Sequence, residues 1–407
     1  MKAAAGCMLI GCFFSAGIRA QESGRYATPQ FFKVKTVYSI PYSRATSIGK
    51  TSPDTLYLDF YEPLRDTLAA RPLVIVVFGG SFVAGSRNND DNVAYCKRLA
   101  TYGYATASID YRLMPLLNIS AKNIVRDAYM AIQDVSAAVR FFKANHQTYR
   151  IDTNNIFLLG NSAGSIAILH EIYMADDERP AETREQPDLG GVHSTGFEAY
   201  SNCSPRVAGA ISQWGSIWSL DIITPSKHVP LCMIHGTADG TVPIDSGHCY
   251  GYQSLPYMYG SRAISGRLEA LGVSTYEFHP VKGEGHSFYY TDAYLLDKKK
   301  FEICFDIVHD FLLRCLNLPN GIQEPGTVRQ LSLYPSPAAD YVTVRNEGSA
   351  SQQLSSIEVL NTMGQTVAHV RDAANPTVMQ VSDFPPGVYI VRMVCGSETY
   401  AGKFIKK

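Results

Sequence analysis

Six short strand-like runs between residues 73 and 280, those at 73–78 and 156–160 apolar, alternate with stretches of helical periodicity, and that rhythm leaves few folds open. The runs are 73–78, 104–110, 156–160, 207–212, 231–235 and 273–280, and the helical stretches are 93–102, 122–144, 163–174, 261–271 and 292–316. A strand that is apolar at every position is buried on both faces, which requires a mostly parallel sheet with helices on each side. Two earlier β-rich runs, 31–40 and 55–61, flank a Ser, Thr, Gly and Pro stretch and predict an opening antiparallel pair. The expectation is a doubly wound α/β domain of about eight strands over residues 21–318.

Two segments break the rhythm. Residues 175–205 are polar and rich in Gly, Pro and charge, and a connection that long inside a compact domain is read as a candidate cap over a site or a surface loop. The Asp176 to Arg179 charge run within it is read as a solvated face. Beyond Leu318 the turn residues Pro319, Asn320, Gly321, Pro325 and Gly326 mark a linker over 319–330. Short alternating runs at 341–345, 356–361 and 388–394 then predict a small all-β sandwich over 331–407.

At the other end, Lys2 precedes an apolar run to about residue 17 and Ile18-Arg19-Ala20, the pattern of a secretory signal over 1–20. Leu9-Ile10-Gly11-Cys12 also has the form of a lipoprotein cleavage box. With 46% hydrophobic and 18% charged residues, the chain has the makings of a sizeable core, and a net charge of −1 without a basic stripe argues against nucleic acid as a partner. Its nine cysteines form no CxxC pair, so neither a metal knuckle nor a cofactor is expected. In an oxidising compartment Cys203 and Cys249, both in loop-like sequence, are the best disulfide candidates, whereas Cys232 and Cys304 read as small buried residues.

Chemistry enters at Gly160-Asn161-Ser162-Ala163-Gly164, a G-x-S-x-G between an expected strand and an expected helix. Such a turn is too sharp for a side chain at either glycine, and it lifts the serine clear of the sheet as a nucleophile. The Ala163 N–H, at the helix start, can face a developing oxyanion. After the strand 73–78, Gly79-Gly80-Ser81-Phe82 forms a loop whose Gly80 and Ser81 N–H groups are the other candidate oxyanion donors. The loop after 231–235 carries Asp239 as the candidate acid, with Asp245 as competitor. The order Ser, acid, His then requires a later histidine. His248 is too near Asp239, His279 lies in an expected strand and His309 on a helix, which leaves His286 in the loop Gly283-Glu284-Gly285-His286. In such a triad His286 takes the Ser162 proton during attack on a carbonyl, and Asp239 fixes the imidazole tautomer. Tyr250, Tyr252, Tyr257 and Tyr259 follow the acid loop and either line an acyl or aryl pocket or pack a surface loop.

Residues 73–286 resemble the bacterial carboxylesterase and lipase branch of the α/β-hydrolases, with Asp110-Tyr111-Arg112-Leu113 and the elbow as supporting pieces. The resemblance implies a small-molecule, lipid or sugar ester as substrate. Where the family carries His-Gly-Gly-Gly, this chain has Phe78-Gly79-Gly80-Ser81, so its oxyanion loop must be braced differently. The C-terminal segment is similar to the sorting domains of the Bacteroidetes type IX secretion system, through Leu333-Tyr334-Pro335-Ser336-Pro337, Pro386-Gly387-Val388-Tyr389 and the closing Lys403-Phe404-Ile405-Lys406-Lys407. That similarity implies the type IX machinery as a partner and a secreted or cell-surface location. Two other readings stay open: a serine peptidase of the same fold, and a surface-binding protein on an inactive hydrolase scaffold.

Overall fold

The computed structural model describes residues 25–114, 120–291, 293, 295–316, 329–346, 355–361, 366–395 and 398–407. The signal segment, Cys12 and most of the expected linker lie outside these residues. The chain divides into two compact units, Met1–Leu318 and Pro319–Lys407.

In the first unit an eight-stranded sheet runs β1 (Val34–Ala45), β2 (Asp54–Pro63), β4 (Ala105–Ile109), β3 (Arg71–Val77), β5 (Ile151–Asn161), β6 (Gly209–Gln213), β8 (Leu231–Gly236), β11 (Tyr276–Val281). β1, β2 and β4 pair antiparallel, and every pairing from β4 to β11 is parallel. All seven residues of β3 are buried, and their alternation sorts them between two cores. Leu73, Ile75 and Val77 pack with Ile132, Val135 and Ile166 of the helices Ala121–Ala144 and Ala163–Tyr173. Val74 and Val76 pack on the opposite face with Leu99, Phe305 and Val308 of the helices Asp90–Thr101 and Lys298–Cys315. Burial of each such side chain contributes about 1.5–3 kcal/mol, so these two layers dominate the stability of the unit.

The last of these helices starts at Lys298 rather than near residue 292, because the Asp297 carboxylate accepts the N–H groups of Lys299 and Lys300 at 2.9 and 3.2 Å. A second, three-stranded sheet orders β7 (Ser216–Ile217), β10 (Tyr257–Gly260) and β9 (Ser246–His248), and sequence periodicity gave no sign of it. The short helix Ser261–Ala270 follows β10 directly.

The segment 175–205, the candidate cap, is anchored on one helix. It runs along the helix Ala121–Ala144, which offers a stripe of donors to its backbone carbonyls. Arg126 donates to Pro187 O at 2.6 Å, Tyr129 to Gly190 O at 2.8 Å, Gln133 to Leu189 O at 2.7 Å, and Arg140 to Thr195 O. Spacings of three, four and seven residues put all four on one helix face. The charge run at its start is partly structural: Asp176 accepts the Val192 N–H at 2.6 Å, and Glu178 pairs with Lys227 at 2.5 Å.

The second unit is all β. Its seven strands order β15 (Thr366–Ala373), β14 (Ser355–Leu360), β17 (Gly387–Cys395), β18 (Glu398–Lys406), β12 (Arg329–Tyr334), β13 (Tyr341–Asn346), β16 (Thr377–Gln380). β12 joins β18 through only two residue pairs, Arg329 with Tyr400 and Gln330 with Ala401. Val342, Val344 and Met379 from one side of that junction share a core with Ile357, Val391 and Phe404 from the other. The folded-over sheet therefore has the two-layered packing of a sandwich.

Candidate active site

The chain reverses direction across the sheet at β3, whose parallel neighbours are β4 on one side and β5 on the other. Such a switch point leaves a crevice at the carboxyl ends of the strands. Ser162 follows β5 there and the Gly79 to Phe82 loop follows β3, while Asp239 follows β8 and His286 follows β11.

Ser162 adopts φ 50° and ψ −119°, a costly conformation for a residue with a Cβ. The surroundings enforce it. A Cβ on Gly164 would sit 2.2 Å from Val77 O, and one on Gly160 would sit 2.6 Å from the Gly164 carbonyl, so helix and strand approach as only two glycines permit. The Ser162 N–H is tied to Gln213 O at 2.9 Å.

His286 Nε2 lies 2.8 Å from Ser162 Oγ, and His286 Nδ1 lies 2.7 Å from Asp239 Oδ2. Asp239 is buried, and burial alone would raise its pKa. Hydrogen bonds from His235 and His286, the nearby imidazole charge and the Val242 N–H outweigh that and hold the carboxylate well below its ordinary range. Its Oδ1 accepts Thr241 N–H at 2.8 Å and Val242 N–H at 2.9 Å, and His235 Nε2 stands 3.2 Å from Oδ2. Asp245, the competitor, is instead an exposed partner of Arg262 at 2.8 Å.

On the opposite side, Ser81 and Ala163 line a narrow pocket with Ser162, whereas Gly80 is not part of that lining. The Gly80 carbonyl accepts the N–H groups of Val83 and Ala84, both at 3.0 Å. Phe78 braces the loop where a histidine would stand in related chains. Its ring stacks on Tyr111 with centroids 4.2 Å apart, and the Tyr111 hydroxyl donates to Phe78 O at 3.1 Å. Next to Tyr111, Arg112 pairs with buried Asp134 at 2.9 Å, which ties this segment to the helix Ala121–Ala144.

The pocket measures about 60 Å³, and its walls are mostly apolar, among them Phe82, Ile166, Trp218, Val242 and Met258. Of the tyrosines singled out in the sequence, Tyr250 lines it from a half-exposed position, and Tyr252, Tyr257 and Tyr259 are not part of the lining. Cys249 also faces the pocket, and Cys203 packs against the core beside Tyr200. Both are free thiols, so the expected Cys203–Cys249 disulfide is absent. Cys232 and Cys304 are fully buried.

Several supporting residues escaped the sequence reading. Under the elbow, Asn161 donates to Asp91 Oδ2 at 2.7 Å, and the Tyr289 hydroxyl stands 2.9 Å from the same oxygen and 3.1 Å from Gln213 Oε1. Burial raises the Asp91 pKa despite these bonds. At the far end of the elbow helix, buried His170 donates from Nδ1 to Ile166 O at 2.7 Å and accepts the Trp218 N–H at 3.1 Å through Nε2, which fixes one wall of the pocket. His235 and Asp239, four residues apart on one strand end, carried a visible signal, since a buried imidazole needs such partners. Away from Ser162, the ligand atoms of Cys232, Glu277 and His279 lie within 4.8 Å of one another, and among the described residues they are the one group able to hold a metal; Arg314 already engages Glu277 at 2.6 Å.

A doubly wound sheet with a serine elbow, and with an imidazole and a carboxylate delivered from later strand ends, defines the first unit as an α/β-hydrolase domain. Residues 58–188 match the BD-FAE family, and residues 332–407 match the secretion system C-terminal sorting domain. Curated relatives include the venom carboxylesterase-6 of Apis mellifera, 31% identical over 31% of this chain and 22% of that protein. The fumonisin B1 esterase of Sphingopyxis macrogoltabida is 28% identical over 53% of this chain and 43% of its own length. Esterase LipC of Mycobacterium tuberculosis is 24% identical over 53% of each. The chain thus spans from about a fifth to just over half of the length of these relatives. Among solved structures, a thermophilic esterase of Thermogutta terrifontis aligns with 69% of this chain and 96% of its own at 21% identity and a TM-score of 0.45. Among the described residues no helix is long and apolar enough to cross a membrane.

Proposed function

We propose that this protein hydrolyses carboxylic esters through an acyl-enzyme on Ser162, and that it does so outside the cell or at its surface. The carrying observation is the relay of 2.8 Å from Ser162 Oγ to His286 Nε2 and 2.7 Å from His286 Nδ1 to Asp239. His286 takes the serine proton as Oγ attacks the ester carbonyl, then delivers it to the leaving alcohol. Asp239, kept ionised by its hydrogen bonds, holds Nδ1 protonated and stabilises the imidazolium. The N–H groups of Gly80, Ser81 and Ala163 are the donors assigned to the oxygen on which negative charge develops. Water then releases the acyl group by the same base.

The apolar pocket beside Ser162 suits an apolar acyl or aryl group, and the esterase names of the curated relatives agree with ester chemistry. Export rests on the C-terminal sorting domain, whose natural partner is the type IX machinery. Ser162→Ala tests the reading: ester turnover and labelling by a fluorophosphonate probe should fall by roughly four orders of magnitude or more while the melting temperature holds. Esterase activity retained in that variant would assign the nucleophile elsewhere.

A further inference from the structure

We infer that Tyr250 is a positioning residue for the reaction proposed above: its hydroxyl latches the acid loop to the oxyanion loop through Ser81. The two side-chain oxygens lie 2.6 Å apart, although the residues are 169 positions apart in sequence, and both residues line the pocket with Ser162. Either oxygen could be the donor by geometry, but a phenol is the more acidic hydroxyl and therefore the better one.

Both ends of this link are strained, and each is tied to the chemistry. On one side Ser81 and Phe82 hold φ values of 56° and 63°, two successive left-handed residues without a glycine. Such a backbone persists only when its surroundings hold it. The Phe78 to Tyr111 stack secures the base of the loop, but the only side-chain bond of Ser81 among the described residues goes to Tyr250. On the other side Tyr250 has φ 55°. Its N–H donates to Thr241 O at 2.7 Å, and the Thr241 N–H donates to Asp239 Oδ1 at 2.8 Å. A run of hydrogen bonds thereby leads from the acid, through Thr241 and Tyr250, to the side chain of Ser81, the residue whose backbone N–H is proposed above as an oxyanion donor. The substitution of Ser81 for the third glycine of related loops gains a purpose, because only a side chain there can accept the latch.

The inference rests on the serine-nucleophile reading, and its test separates the two. Tyr250→Phe, Ser81→Ala and the double variant of the full chain are compared with wild type in kcat and KM for 4-nitrophenyl butyrate, in the rate of fluorophosphonate labelling of Ser162, and in melting temperature. A misplaced oxyanion donor weakens the transition state and not ground-state binding, so each single variant should lose about tenfold in kcat and in labelling rate with KM within about twofold. The double variant should lose no more than either single, because both remove one bond. A rise in KM at unchanged kcat would make Tyr250 only a pocket wall and overturn the latch. Additive losses, or a lowered melting temperature with kinetics intact, would overturn it equally. Wild type that labels but hydrolyses no ester would sink the ester reading alone, and the labelling rates of the variants would still decide the latch.

Discussion

The two loops that meet at Ser162 are held by different means. The elbow is fixed by backbone against backbone: Gly164 touches the end of β3, Gly160 touches Gly164, and Ser162 N–H is tied to β6. The Gly79 to Phe82 loop, the candidate oxyanion loop, is fixed by side chains from elsewhere, a stacked Tyr111 beneath it and the Tyr250 hydroxyl at its rim. Backbone contacts leave almost no substitution open, and they write themselves into a short local motif. Side-chain braces can be exchanged one for another, as the Phe78 and Tyr111 stack shows, so they leave no fixed local signature.

The largest expected effect breaks the elbow. Gly164→Ala places a methyl 2.2 Å from Val77 O and 2.5 Å from Phe78 O, backbone atoms at the end of the central strand that cannot step aside. The loss should be roughly 4 kcal/mol or more, in the range reserved for severe core disruption. Thermal unfolding and fluorophosphonate labelling should both register it. A variant that melted with wild type and still labelled would mean the elbow is as forgiving as the loop opposite.

The same contrast explains what the sequence disclosed. The parallel sheet was legible because β3, residues 156–160 of β5 and β8 read as short apolar runs, and Ser162, Asp239 and His286 were legible because each follows such a run or lies in a glycine-rich loop. Asp91, Tyr289 and Trp218 were hidden, because they reach the site from 70 or more residues away for Asp91 with Asn161, and 48 for Trp218 with His170. The anchoring of the segment 175–205 was hidden for a related reason. Its anchors, Arg126, Tyr129, Gln133 and Arg140, sit on a distant helix and look like an ordinary polar face until the carbonyls they serve are in place. The Cys203 and Cys249 pairing failed because loop-like sequence says nothing of which wall each thiol faces.

A second prediction follows the elbow helix to its other end. Burial lowers the pKa of His170 from 6.5 to about 4, so the folded protein keeps it neutral to accept the Trp218 N–H. The folded pKa lies below the unfolded one, and between those values the unfolded chain binds the extra proton. The contribution is therefore complete above pH 6.5 and is lost as pH falls toward 4, by about 3 kcal/mol in all. Urea unfolding of wild type between these pH values should show a steeper decline than His170→Gln, whose side chain does not titrate. Parallel slopes would show that His170 is charged in the folded state, and that Trp218 is not held by a neutral imidazole.

The smallest effect is the sharpest test of the loop. Tyr111→Phe keeps the ring stacked on Phe78 but removes the hydroxyl that donates to Phe78 O. One buried carbonyl loses its donor, at a cost of about 1–2 kcal/mol, and the stack itself remains. If the loop is held jointly by the stack and by Tyr250, kcat should fall by less than about tenfold, because neither brace alone sets the donor position. Tyr111→Ala removes the stack as well and should cost more in both stability and kcat. Should Tyr111→Phe instead lose as much kcat as Gly164→Ala loses in folded, labelled protein, the distinction between a backbone-held elbow and a side-chain-held loop would collapse. The Phe78 carbonyl would then be the single hinge on which the oxyanion donors turn.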